Sequence, residues 1–237
     1  MTATGTAPTL VFVHGALVRD GSWWWRPTAD LLLERTGVAS VAVALPSCGE
    51  TDADGGDLRD DAAALRAVLD AYDDVVLVGH SYGGTVIAEA GAHPSVRHVV
   101  LVSSYTPPVG ASQGSIMSGE PDPVTVRVDD GRILLDGYDE ASFGARFLQD
   151  ADEPLQRDAF ARTTSQDAAA FGATTTRTGW ADVDSTAVVC TEDRSTTVAL
   201  QRSHAARATA TVELPTGHHP FISRPDLVVD LLEPLLA

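Results

Sequence analysis

Three short segments carry the side chains that nucleophilic catalysis needs. The first reads Val75-Val-Leu-Val-Gly79-His80-Ser81-Tyr82-Gly83-Gly84, a serine with a glycine two residues away on each side. A serine hydroxyl becomes a useful nucleophile when its backbone lifts it clear of its neighbours and a base can reach it. A tight turn from strand to helix does the lifting, and glycines at 79 and 83 avoid collisions inside such a turn. The helix that follows would aim its first N–H groups, and its positive dipole end, at an oxyanion formed on Ser81. A Gly-rich turn with a capping serine has the same five-residue pattern. The apolar run before Ser81 and the helical pattern after it favour the catalytic reading.

The second segment, Leu214-Pro-Thr-Gly217-His218-His219-Pro220, offers the base. Gly217 gives His218 freedom to swing toward the serine, whereas Pro220 restricts His219. His218 is therefore the candidate base. The third segment, Val188-Val-Cys190-Thr191-Glu192-Asp193, offers a carboxylate to accept the imidazole N–H, fix its tautomer and stabilise the imidazolium. Asp193 is the candidate acid, with Glu192 as its competing neighbour. Another acid position, after the apolar run ending at Val102, holds Ser103-Ser104-Tyr105 and no carboxylate. Adjacent histidines also suggest a metal. However, neighbouring side chains diverge on an extended backbone, and no H-E-x-x-H or C-x-x-C pattern accompanies them. No metal and no other cofactor is expected.

An oxyanion needs two donors. The first apolar run ends Phe12-Val13-His14-Gly15-Ala16, so the backbone N–H of Ala16 would join that of Tyr82 in an oxyanion hole. His14 is read as a structural residue that hydrogen-bonds its own loop.

The elements that must position these groups follow from periodicity. Apolar, β-branched runs at 9–13, 38–44, 75–78, 98–102, 187–190 and 211–214 read as strands covered on both faces. Stretches 23–35, 58–71, 83–92, 197–207 and 226–236 read as helices. That alternation describes an α/β fold: about six mostly parallel strands in the order 2-1-3-4-5-6, with helices on both faces and a site above the strands' carboxyl ends. Residues 105–182 break the rhythm for longer than a simple loop allows. They read as a lid inserted after the fourth strand, with a hairpin at 124–128 and 133–135 and helices at 142–149 and 154–171. The core would then be 1–104 and 183–237.

Composition narrows the partners. Arginine supplies all 16 basic charges against 33 acidic residues, giving a net charge of −17. Such acidity argues against nucleic acid and anionic membrane surfaces. No apolar run approaches the ~20 residues of a membrane span, and residues 1–8 lack a signal-peptide pattern. Cys48 and Cys190 read as reduced residues of a cytoplasmic protein that works as a monomer or homodimer on a small molecule.

Taken together, the Val13-His14-Gly15-Ala16 loop, the Gly79-to-Gly84 turn, the Cys190-Thr-Glu-Asp193 segment with Leu200-Gln-Arg202, and Gly217-His218 resemble the α/β-hydrolase superfamily over nearly the whole chain. The closer likeness is to the plant methylesterase and hydroxynitrile lyase group and its bacterial relatives. The resemblance implies a triad of Ser81, Asp193 and His218. Hydroxynitrile lyases of this type carry Thr after the first-strand His and Lys directly after the catalytic His; here Gly15 and His219 stand there. Cyanohydrin cleavage is thus disfavoured, and hydrolysis of a small-to-medium apolar ester, lactone or thioester is expected. Trp24, Tyr105, Phe147 and Trp180 are the expected substrate-binding residues. The competing functions are a C–C bond hydrolase or lyase acting on a polyketide-like metabolite with the same triad, and a ligand receptor that retains the fold.

Overall fold

A computed structural model describes residues 8–51 and 55–236. Residues 1–7 of the N-terminal stretch read above lie outside them. The first four strands are β1 (Thr9–Val13), β2 (Ser40–Ala42), β3 (Val75–His80) and β4 (Val96–Val102). Strands β5 (Val126–Asp129), β6 (Arg132–Leu135) and β7 (Gln166–Asp167) form a separate antiparallel sheet. Two more, β8 (Ser185–Cys190) and β9 (Ala210–Leu214), complete the main sheet, whose order is β2-β1-β3-β4-β8-β9 with every pairing parallel. This is the six-stranded order expected from the sequence.

The helices are α1 (Gly21–Thr36), α2 (Leu58–Leu69), α3 (Tyr82–Ala90), α4 (Gln113–Met117), α5 (Glu140–Phe147), α6 (Glu153–Phe160), α7 (Ala168–Gly172), α8 (Val198–Ala205), α9 (Pro220–Ser223) and α10 (Pro225–Leu232). Successive strand residues point to opposite faces, and both faces of this sheet are covered. Leu10, Phe12, Val76 and Val78 pack on one side with Trp25 and Leu32 of α1 and Val229 of α10. Val11, Val13, Val75 and Leu77 pack on the other with Leu58 and Leu65 of α2 and Val86 of α3. The tryptophan run anchors α1: the Trp25 ring stacks between Phe12 and Phe221, with centroids at 4.4 and 3.9 Å. Asp57 and Asp60 close a capping box at the start of α2.

Strand register then aligns the chemistry. Val13 pairs with Gly79, His80 with Val102, Val102 with Val188, and Cys190 with Leu214. The loops leaving β1, β3, β4, β8 and β9 therefore emerge along one rim. No helix is long and apolar enough to cross a membrane among the described residues.

One expected element is corrected. The helix read at 154–171 is broken: α6 stops at Phe160, and Gln166–Asp167 pairs with β6 before α7 begins. Tertiary bonds override the local pattern. The buried Gln166 amide receives the Leu17 N–H and donates to the Ser47 hydroxyl, while Arg132 holds Ser165.

Candidate active site

Ser81 sits between β3 and α3 with φ 49° and ψ −119°, a strained conformation for a residue with a side chain. The surrounding sequence accommodates it. A Cβ at Gly83 would lie 2.5 Å from the Val13 carbonyl oxygen, and one at Gly79 would lie 2.6 Å from Ile87. From the β4 loop, Ser104 donates to the Ser81 carbonyl at 2.6 Å and accepts the Gly84 N–H at 3.1 Å. The turn is thus pinned from outside as well as from within.

Asp193 and His218, the candidate acid and base, lie within hydrogen-bonding distance of each other. His218 Nδ1 donates to Asp193 Oδ2 at 2.7 Å, which leaves Nε2 as the acceptor nitrogen. Asp193 has an unusually complete set of donors. Its Oδ1 accepts the Ser195 and Thr196 N–H groups, and its Oδ2 also accepts from Ser103 and Gln201. Burial by itself would raise this carboxyl pKa. The His218 imidazole and the hydrogen bonds outweigh it and hold the group below the ordinary carboxylate value. Glu192, the competing neighbour, contributes its backbone carbonyl to the Gln149 amide.

His80, next to Ser81 in the chain, reaches the His218 loop through its Nε2, which donates to the His218 carbonyl at 3.0 Å. His219 faces another way: Nδ1 donates to the Phe147 carbonyl, and the ring stacks on Trp24. Burial and then the His218 charge push its pKa down to about 3. Burial, followed by the two neighbouring histidines, also drives His80 well below its usual value. The expectation that adjacent histidines diverge is therefore corrected, because His80, His218 and His219 cluster with ring centroids 4.6–4.8 Å apart. Their nearest set of nitrogens spreads up to 4.8 Å. Two nitrogens on one tetrahedral zinc, each bonded at about 2.0 Å, stand only about 3.3 Å apart. His218 meets both His80 and His219 edge to face, while His80 and His219 are tilted at 45° to each other.

His14 takes the structural role expected of it. Its two ring nitrogens meet the Gly15 carbonyl and a Glu50 carboxylate oxygen. Burial would lower the imidazole pKa, but Glu50 outweighs it and raises the value. Glu50 in turn takes the N–H groups of Gly21 and Leu45, fastening the loop between β1 and α1 to the segment after β2. Gly15 is obligatory for close approach: a Cβ there would lie 2.8 Å from His80 Nδ1 and 3.2 Å from Ser81 Cβ. Among the described residues, the N–H groups of Ala16 and Tyr82 have no protein acceptor.

A cavity of about 350 Å³ lies over this rim and includes Ala16, Ser81 and His218 in its wall. The far wall is apolar, formed by Val124, Ile133, Leu135, Phe143 and Phe147 from the segment between β4 and β8. Of the expected substrate-binding residues, Tyr105 and Phe147 line it. Trp24 and Trp180 do not, which corrects their expected placement: Trp24 packs behind His219, and Trp180 donates to the Pro107 carbonyl. Tyr105 is fully buried, its phenol pKa pushed up to about 12 by burial, with its hydroxyl beside Thr196 and Ser81.

Sequence reasoning missed Ser103, Gln201 and Asp150. In the sequence, Ser103 marks only a position where a carboxylate is absent. Gln201 lay in a segment noted for its resemblance, without a role. Asp150 accepts the Gly217 N–H at 2.8 Å and the Ser223 hydroxyl at 2.9 Å, so the intervening segment grips the loop that carries His218. No local signal in the sequence points to that contact.

Residues 10–231 match the model of the alpha/beta hydrolase family. The chain belongs to that family and is an enzyme of the carboxylic ester hydrolase kind. It is similar to alpha/beta hydrolase nvfD of Aspergillus novofumigatus, 26% identical with 95% of each chain covered. It also resembles a carbendazim hydrolyzing esterase of Nocardioides, 34% identical over 43% of this chain and 44% of the other. Among solved structures, a pyrethroid hydrolase of Sphingobium faniae superposes with a TM-score of 0.81 at 21% identity, covering 98% of both chains.

Proposed function

We propose that the protein is a serine hydrolase that cleaves a small-to-medium apolar ester through an acyl-enzyme on Ser81. One observation carries the reading: the hydrogen-bonded Asp193–His218 pair opens onto the same cavity as a serine held on a strained strand-to-helix turn. In this reading His218 Nε2 takes the Ser81 proton as Oγ attacks the ester carbonyl. The resulting oxyanion rests on the N–H groups of Ala16 and Tyr82. His218 then gives its proton to the leaving alkoxide, and the alcohol departs. Water, deprotonated by His218, attacks the acyl-enzyme and releases the acid and Ser81.

The cavity supports a modest substrate, since about 350 Å³ stands at the small end of ligand pockets, which run roughly 300–1,000 Å³. Residues 105–182 serve as the lid in this reading, supplying the apolar wall that would receive the substrate's hydrocarbon part. Esterase and hydrolase relatives favour ester cleavage over the lyase and receptor alternatives. A serine-directed phosphonate tests the reading by mass spectrometry. One adduct on the native chain and none on Ser81→Ala is expected. Labelling elsewhere, or no labelling of a folded protein, would sink it. Steady-state rates on p-nitrophenyl esters of rising chain length then measure how much acyl chain the cavity admits.

A further inference from the structure

The cavity wall contains one buried amide whose hydrogen-bonding capacity is only half used. Gln113 opens α4, is 2% exposed, and lines the cavity. Its Oε1 accepts the Thr85 hydroxyl at 2.7 Å. Thr85 stands one turn into α3, the helix that begins immediately after Ser81. That bond assigns Oε1 to the α3 side and leaves Nε2 as the amide's remaining hydrogen-bonding atom. Among the described residues Nε2 meets no acceptor, yet it is not one of the sealed, unpartnered polar atoms of the protein. Its N–H groups are therefore open to the cavity.

Neighbouring polar groups on the wall are engaged with each other. The Tyr105 hydroxyl lies 3.1 Å from both Thr196 Oγ1 and Met117 Sδ, and the Ser118 hydroxyl donates to the Ser115 carbonyl. Leaving a buried donor unanswered is costly, so an idle amide inside a largely apolar pocket reads as a ligand-directed group. Among the described residues the wall contains no arginine, and the chain contains no lysine, so a charged carboxylate would find no permanent countercharge there.

We propose that the substrate is an ester carrying a second, neutral acceptor oxygen, a keto or ether oxygen apart from the scissile carbonyl, to which Gln113 Nε2 donates. This rests on the ester-hydrolase reading and makes Gln113 a specificity-determining residue. A site built to hydrogen-bond a substrate oxygen discriminates against the analogue that lacks it.

The test compares kcat/KM for methyl hexanoate with that for methyl 3-oxo-, 4-oxo- and 5-oxohexanoate. For the native enzyme, at least one oxo ester should be preferred by about tenfold, the worth of one good hydrogen bond. In Gln113→Leu that ratio should collapse toward one, whatever the absolute rates. Gln113→Glu keeps an acceptor for Thr85 but replaces the cavity-facing N–H groups with an oxygen, so its ratio should invert. A native enzyme that treats all four esters alike, or a preference that survives both substitutions, overturns the proposal while leaving the hydrolase reading standing. If no ester is turned over and phosphonate fails to label Ser81, that reading falls and takes this proposal with it. Phosphonate labelling of each Gln113 variant reports that its site is assembled.

Discussion

The Ser103 hydroxyl donates to Asp193 Oδ2 at 2.5 Å and lies 3.1 Å from His218 Nδ1, so the residue that follows β4 completes the junction between Asp193 and His218. Its backbone has φ 41°, an uncommon conformation for a residue with a side chain, and it bridges from β4 to the loop after β8. The strain and the short bond occur together at the rim position where a carboxylate could have stood.

Ser103 should therefore orient Asp193 rather than react. Ser103→Ala is expected to lower kcat about tenfold with little change in KM, the signature of an interaction used in the transition state. Asp193→Asn should cost on the order of 10⁴ in kcat, because the amide favours the wrong imidazole tautomer. Adding Ser103→Asp to Asp193→Asn supplies a carboxylate beside Nδ1 and should recover part of the loss. Steady-state kinetics on one ester checks all three, and a double variant no better than Asp193→Asn refutes the positional argument.

Asp150 couples the segment between β4 and β8 to the loop that carries His218. Its Oδ2 accepts from Gly217 and Ser223, and nearby Gln149 donates to the Glu192 carbonyl. Asp150→Ala would leave the buried Gly217 N–H unpaired, at a cost of roughly 1–3 kcal/mol in stability. The freed His218 loop should also reduce kcat more than it raises KM. Asp150→Ser, which retains an acceptor, should rescue part of both effects. Chemical denaturation alongside kinetics separates this outcome from simple destabilisation.

Gly15→Ala tests the fit between the first loop and the nucleophile. The new methyl would meet the His80 ring and Ser81 Cβ, so the loop carrying Ala16 must retreat. Loss of one oxyanion donor costs roughly 10²–10³ in kcat. A fall of at least that order is expected while the far-UV circular dichroism spectrum stays native. Undiminished turnover would show that the Ala16 N–H takes no part.

Acid should weaken the fold between pH 7 and 5. His219, with a pKa near 3, and His80, also lowered, stay neutral in the folded chain, whereas the unfolded chain protonates both near 6.5. Below that pH the unfolded state binds more protons, so stability falls with pH. His14 opposes this, since its raised pKa adds stability that is lost as pH rises through the folded value. Burial lowers His98 and His204 as well, so four lowered histidines against one raised one give a net loss in acid. The groups acting on His219 are His218 and Asp193. His219→Gln should therefore show a smaller drop in Tm from pH 7 to pH 5 than the native chain. Equal drops in calorimetry would count against the assignment.

Much of this arrangement was legible in the residues themselves. The six apolar runs gave the strands, because a sheet buried on both faces needs β-branched residues at nearly every position, as in Val75–His80. Ser81, Asp193 and His218 stood out because each follows such a run in a turn-forming context. The helix read at 154–171 failed because local propensity knows nothing of Gln166, which is drawn into the interior by Leu17 and Ser47. Trp24 and Trp180 were misplaced because an aromatic side chain suits a pocket and a core equally well, and sequence does not record which way it faces.

Order along the chain thus determined which groups are available and which sheet order presents them. Tertiary structure alone decided what surrounds them: that Ser103 completes the Asp193 shell, that Asp150 holds the His218 loop, and that Gln113 keeps its amide open to the cavity. The physical reason is range. Strand and helix patterns arise from neighbours a few residues apart. These bonds join residues that come within 3 Å of each other only after parallel register has brought distant loops to one rim.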